Sequence, residues 1–144
     1  MLVVEGEIKK GYGAASSNLE LQMPHFLNVF PEIKSYHSGS INVLLNTPIK
    51  LLRPGFRTSP IQWHPVHPNL KEIFNFTRID FEIIDSVISR ASVKARIYDP
   101  EQSPHHRDPF YYEIITETID VREYKRCRIY FNRKYKKGEF FSIE

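Results

Sequence analysis

A small, closed, mainly β barrel is the fold this chain predicts, and three observations carry that expectation. Apolar and polar residues alternate with period two in several short runs, the mark of half-buried strands. Glycine and proline clusters separate those runs, and only one stretch shows helical spacing, too little for the helices that connect a parallel sheet. At 144 residues the chain fits a single domain, 1–144, with one core. A hydrophobic fraction of 41% excludes a disordered chain, and no apolar run approaches the ~20 residues needed to cross a bilayer.

The first strand is written by Val4, Gly6 and Ile8, and it runs directly into the stretch KKGYGAASSN. Gly11 and Gly13 permit close backbone approach, while Ala14, Ala15 and Ser16 leave main-chain N–H groups unshielded, so this loop is able to cradle phosphate oxygens. Hairpin or bulge punctuation accounts for the same glycines. The loop is no P-loop, because no Gly-Lys-Ser/Thr ending and no long helix follow it. Between Met23 and Ile33 the spacing of Phe26, Leu27, Phe30 and Ile33 predicts one short helix, with Pro24 in its first turn and Pro31 ending it.

A second strand, Ile41-Val43-Leu44-Leu45, opens with Gly39, Ser40 and Asn42. On a strand Ser40 and Asn42 share one face while Ile41 and Val43 take the other. A neutral hydroxyl and a neutral amide oxygen two residues apart suit Mg²⁺, which keeps several waters and draws its charge balance from substrate phosphates. A turn bond from Ser40 and a local backbone bond from Asn42 explain the pair without a ligand, and spacing alone favours that reading. Five prolines between residues 47 and 69 exclude a central strand or helix interior and predict a long surface excursion or lid.

Strands follow at Ile79-Phe81-Ile83 and Val93-Ala95-Ile97; a proline-bounded loop, 99–109, then leads to Tyr111-Tyr112-Glu113-Ile114-Ile115. Glu113 lies among tyrosines and isoleucines, so it is either solvent-exposed or a buried acceptor for a ligand. Arg122 offers phosphate a bidentate guanidinium, or pairs with Glu117, Asp120 or Glu123. The last strand, 128–131, precedes a charged tail, and Lys and Arg crowd this end of a chain whose formal net charge is +3. Such a run attracts anions or is a solvated tail. His64 and His67 lie in WHPVHPN, where prolines impose an extended backbone that disfavours a zinc site. Cys127 is the only cysteine, which excludes an internal disulfide, and no Gly-x-Ser-x-Gly elbow supports a hydrolase.

Taken in order, VEGEIKKGYGAAS, YHSGSINVLL, RIDFEIIDSVIS and YYEIITETIDVREY resemble the CTP-dependent, archaeal-type riboflavin kinases over nearly the whole chain. The likeness is strongest at the Gly-Glu-x-x-x-Gly-x-Gly pattern (Gly6, Glu7, Gly11, Gly13) and at the Gly-Thr/Ser-x-Asn pattern (Gly39, Ser40, Asn42). The resemblance implies a six-stranded cradle-loop barrel that moves the γ-phosphate of CTP to the 5′-hydroxyl of riboflavin, giving FMN and CDP. It implies nucleotide contacts at Gly11, Tyr12, Gly13, Ala14, Ala15 and Ser16 and at Ile119, Asp120, Val121 and Arg122. It further implies Mg²⁺ on Ser40 and Asn42 and the flavin on Glu113.

The chain departs from that family in four places. Serine stands at position 40 for the usual threonine, and Ser103-Pro104-His105-His106 replaces a Thr-Tyr-His run, so Ser103 is the candidate for the flavin-touching hydroxyl. One extra residue separates Glu113 from Arg122, and the proline-rich segment 53–69 has no counterpart.

Phosphoryl transfer asks mainly for alignment and charge neutralisation, which the glycine loop, a Mg²⁺ and Arg122 or Lys10 supply. No residue identifies itself as a base, and Tyr111, Tyr112 or Trp63 are the candidate walls of an apolar flavin slot. The expected partners are these small molecules, with neither membrane nor nucleic acid, for a cytoplasmic monomer whose N-terminus lacks the pattern of a secretory signal. Two other readings stand beside the kinase: a non-catalytic flavin- or nucleotide-binding module, and a basic nucleic-acid-binding domain using Tyr124, Tyr130 and Tyr135.

Overall fold

The structure is a computed structural model that describes residues 2–12, 16–36, 39–52, 54–84, 92–103, 106, 108–117, 126–134 and 141–143. Among the described residues, nine strands, β1 (Val3–Tyr12), β2 (Ile41–Leu45), β3 (Ile49–Leu51), β4 (Phe56–Arg57), β5 (Phe74–Ile84), β6 (Val93–Pro100), β7 (Tyr111–Thr116), β8 (Arg126–Phe131) and β9 (Phe141–Ile143), accompany one α-helix, α1 (Ser16–Gln22). Six strands form a closed antiparallel ring in the order β5-β6-β7-β2-β1-β8, with β8 returning to β5. Closure leaves no long unpaired edge. The two-residue β4 adds to β5 outside the ring, and β3 pairs with β9 in a separate ribbon.

The period-two pattern decides what fills the ring. Val4, Ile8, Ile41, Val43, Ile79, Phe81, Ile83, Ile97, Ile114, Ile129 and Phe131 turn inward and pack as one apolar core. Cys127 lies in that core, where burial pushes its thiol up to about 12, so it acts as an inert small hydrophobe. Gly6 is required by close approach, because a Cβ there would lie 2.7 Å from the carbonyl oxygen of Leu44 and 2.9 Å from Val43 Cγ1.

A second core lies outside the ring. Leu19 of α1 and Phe26, Phe30 and Ile33 cover Phe74, Phe76, Tyr98 and Ile115, which project outward from β5, β6 and β7. The ring of Phe26 meets those of Phe74 and Phe76 edge-on at 4.9 Å between centroids. The segment is less helical than its spacing predicts: the α-helix lies earlier, at Ser16–Gln22, and 3₁₀ turns occupy Met23–Phe26 and Pro31–Ser35. Pro24 does sit in a first turn, but Pro31 opens the second turn rather than ending a helix, since its missing N–H costs nothing at a helix start. The one-sided placement of Phe26, Phe30 and Ile33 survives because short 3₁₀ turns can present the same face to the sheet.

Two further expectations need adjustment. Leu44 is exposed, because its parity on β2 turns it away from the ring, whereas Ile41, Val43 and Leu45 are buried. The charged tail also returns as β9 against β3, a pairing that three-residue strands barely signal. The proline-rich stretch carries only the short edge elements β3 and β4 and the isolated bridge Ile61 to Glu72, as expected where proline removes donors. Among the described residues no helix is long and apolar enough to cross a membrane.

Candidate active site

The outward face of β2 and β7 holds the polar residues that the interior cannot accept. Asn42 pairs with Glu113 in the β2–β7 register and with Lys9 in the β1–β2 register. Ser40 Oγ lies 3.4 Å from Glu113 Oε1, and Ser40 is almost fully buried. Asn42 Oδ1 is a buried acceptor with no hydrogen-bond partner among the described residues. Ser40, Asn42 and Glu113, far apart in sequence, thus form one cluster.

The glycine strand reaches the same place. Tyr12 pairs with Ile41, and the register shifts between Lys9 and Tyr12, so a bulge spans Gly11 immediately beside the Ser40–Asn42 opening. Gly11 and Tyr12 end β1, and Ser16 starts α1. Gly13, Ala14 and Ala15 lie outside the described residues, as do Ile119, Asp120, Val121 and Arg122. The side chains of Lys10 and Tyr12 fall outside them too.

Below this cluster β6 and β7 part. Their last pair is Tyr98 with Glu113, whereas β2 and β7 continue in register to Leu44 and Tyr111. A narrow cleft occupies the gap, with Leu51, Tyr98, Ser103, Tyr111, Tyr112 and Glu113 on its walls. The two sequence-predicted flavin contacts, Glu113 and Ser103, therefore face one cleft. Tyr111 and Tyr112 line it as anticipated, but Trp63 does not. Its indole instead donates to Glu72 Oε1 at 3.1 Å beside the outer core, where an N–H needs a partner.

Burial pushes the Glu113 carboxyl above the usual carboxylate range, an effect opposed by the Ser40 hydroxyl and reinforced by the nearby charge of Asp99. Tyr98 anchors the adjoining wall: its hydroxyl donates to Gln22 of α1, and burial drives its pKa strongly upward, so it is a neutral phenol. Tyr112 donates to the carbonyl of Ile49, tying the cleft floor to β3.

Sequence reasoning missed Asp99, whose carboxylate holds His106 Nδ1 at 2.8 Å and 2.9 Å. The alternation along β6 places Asp99 in line with Ile97 and Ala95, a parity that reads as core; its use as an anchor for His106 depends on a loop that returns from seven residues later. His64 proves to be a turn former, its Nδ1 accepting the amides of Val66 and His67. No cluster of three or more His, Cys, Asp or Glu suited to a metal occurs among the described residues.

The oxygens of Ser40 and Asn42 are the hard, uncharged donors that Mg²⁺ accepts, and the orphaned Asn42 Oδ1 is an acceptor the fold itself does not use. The residues present fit that ion. Within the described part of the basic run, Arg126 and Arg128 pair with Glu5, and Arg128 also pairs with Glu82, so these cations are already neutralised. No protein-family model matches the chain, and no curated protein matches it.

Proposed function

We propose that this chain is a CTP-dependent riboflavin kinase, transferring the γ-phosphate of CTP to the riboflavin 5′-hydroxyl to give FMN and CDP. The observation that carries the reading is the Ser40–Asn42–Glu113 cluster, with an unused buried acceptor, set beside the bulged end of the glycine strand. Ser40 and Asn42 would hold Mg²⁺, which supplies charge neutralisation to the phosphates. Gly11, Tyr12, Gly13, Ala14, Ala15 and Ser16 would receive the triphosphate through main-chain donors, and Ile119, Asp120, Val121 and Arg122 would close on the nucleotide. Glu113 and Ser103 would orient riboflavin in the cleft between β6 and β7, against Tyr111 and Tyr112. On this reading the chain works as a cytoplasmic monomer.

Incubation with riboflavin, CTP and Mg²⁺, read as FMN by chromatography with fluorescence detection, tests it. FMN that requires both CTP and Mg²⁺ supports the kinase. Tight flavin or CTP binding without turnover overturns it in favour of a binding module, and salt-sensitive oligonucleotide binding alone favours the nucleic-acid reading.

A further inference from the structure

The clefts at the lower end of the ring carry a group that the kinase reading leaves without a task. A second narrow cleft adjoins the first and shares Leu51, Ile97 and Asp99 with it; Asn75, Thr77 and His106 complete its polar side. His106 and Asp99 meet where the two clefts join. Both side chains are about one-fifth exposed, at 21% and 22%, so the pair is sheltered yet reachable.

The pair is also fixed in place. His106 donates its backbone N–H to Ser103 at 3.0 Å, Asn75 Nδ2 donates to the Asp99 carbonyl at 3.3 Å and to Glu101 Oε2 at 2.9 Å, and Arg57 grips Glu101 at 2.8 Å. Glu72 accepts the backbone N–H of Gln102 at 3.3 Å. The loop bearing Ser103 and His106 is thus pinned from β4, β5 and the segment before β5. A histidine whose Nδ1–H is spent on a carboxylate presents its Nε2 lone pair as the proton acceptor, and the carboxylate stabilises the imidazolium that forms.

We propose that His106 is the general base for the hydroxyl substrate and that Asp99 is its positioning residue. The inference rests on the kinase reading for the identity of that hydroxyl, the riboflavin 5′-OH. As its oxygen bonds to the γ-phosphorus of CTP, the proton passes to His106 Nε2. The bond from the γ-phosphorus to the β,γ-bridging oxygen breaks, and its electron pair leaves with CDP. The imidazolium then returns the proton to solvent. Among the described residues, the ionisable groups around the imidazole are Asp99 in contact, Glu101, whose pKa is lowered in small part by His106, and Asp108 and Glu113 on the adjoining cleft.

The experiment measures FMN formation by the wild-type chain, His106→Ala and Asp99→Asn from pH 5 to 9, with riboflavin binding followed by flavin fluorescence and folding by circular dichroism. The expected result is a kcat about 10²–10⁴-fold lower in His106→Ala with riboflavin affinity retained. The acidic limb of the wild-type profile should vanish, and added imidazole should restore part of the rate. Asp99→Asn should fall less and shift the limb. A folded His106→Ala with wild-type kcat and an unchanged profile overturns the base assignment and leaves the kinase standing. If His106→Ala does not fold, an unchanged profile in Asp99→Asn overturns it likewise. A wild-type chain that makes no FMN overturns the kinase reading itself, and the base with it.

Discussion

Asn42→Leu separates what the fold needs from what a ligand needs. Asn42 Oδ1 is buried without a partner among the described residues, and such an acceptor carries a desolvation penalty of about 1–3 kcal/mol. Leucine is bulkier but keeps asparagine's branched skeleton of four side-chain heavy atoms, suits a strand better and removes the orphaned oxygen. The folded chain should therefore gain about 1–3 kcal/mol. At about 3 °C per kcal/mol for a domain of this size, Tm should rise by about 3–9 °C. The same substitution deletes one of the two proposed Mg²⁺ ligands, so FMN formation should collapse while stability improves, the trade-off expected of a residue kept for function. Calorimetry alongside the CTP-dependent FMN assay gives both numbers. A lower Tm would show that Asn42 serves the fold, and undiminished Mg²⁺-dependent turnover would remove it from the metal site.

Two further substitutions test the account of burial. In Glu113→Gln the pH dependence of stability should flatten: the folded carboxyl is raised above 4.5 by burial, so the wild-type chain loses stability as pH climbs from 4.5 through the folded pKa, and glutamine has no proton to lose. Glu72, raised by burial in the same sense, keeps its share of the decline in both proteins, and identical urea-derived slopes between pH 4 and 8 would contradict the assignment to Glu113. Gly6→Ala should cost about 1–3 kcal/mol, because the new methyl meets the Leu44 carbonyl, which cannot swing aside as a flexible side chain would. An unchanged urea midpoint would show that β1 and β2 can part without penalty.

The ring was legible in the sequence because inward apolar and outward polar residues alternate along β1, β8 and the Arg78–Ile83 part of β5, and a closed barrel needs little else. Ser40 and Asn42 were legible as a shared face for the same reason. Their meeting with Glu113 was not, since it depends on β2 pairing with β7 across more than sixty intervening residues, a register that no local pattern encodes. The helix was misplaced because Phe26, Phe30 and Ile33 signal a buried face without distinguishing an α-helix from successive 3₁₀ turns. Asp99 and His106 escaped notice as partners because their contact joins a proline-bounded loop to a strand already assigned to the core, a pairing that no local pattern signals.

The placement of the site follows from how completely the ring is filled. Phe81, Phe131 and the inward isoleucines leave the interior no room for a flavin, so any ligand must bind outside the ring or where strands separate. Only part of the outside is available, because the helical segment covers Phe74, Phe76, Tyr98 and Ile115. The gap below Tyr98 and Glu113 is open, and there the interior's own polar end, Asn75, Thr77 and Asp99, comes to the surface. Outward groups that would hold a phosphate and an inward carboxylate that orients a histidine can therefore serve one substrate only at this seam. Closing the β6–β7 gap by extending their pairing beyond Glu113 would preserve the barrel and remove the cleft that Glu113 and Ser103 share.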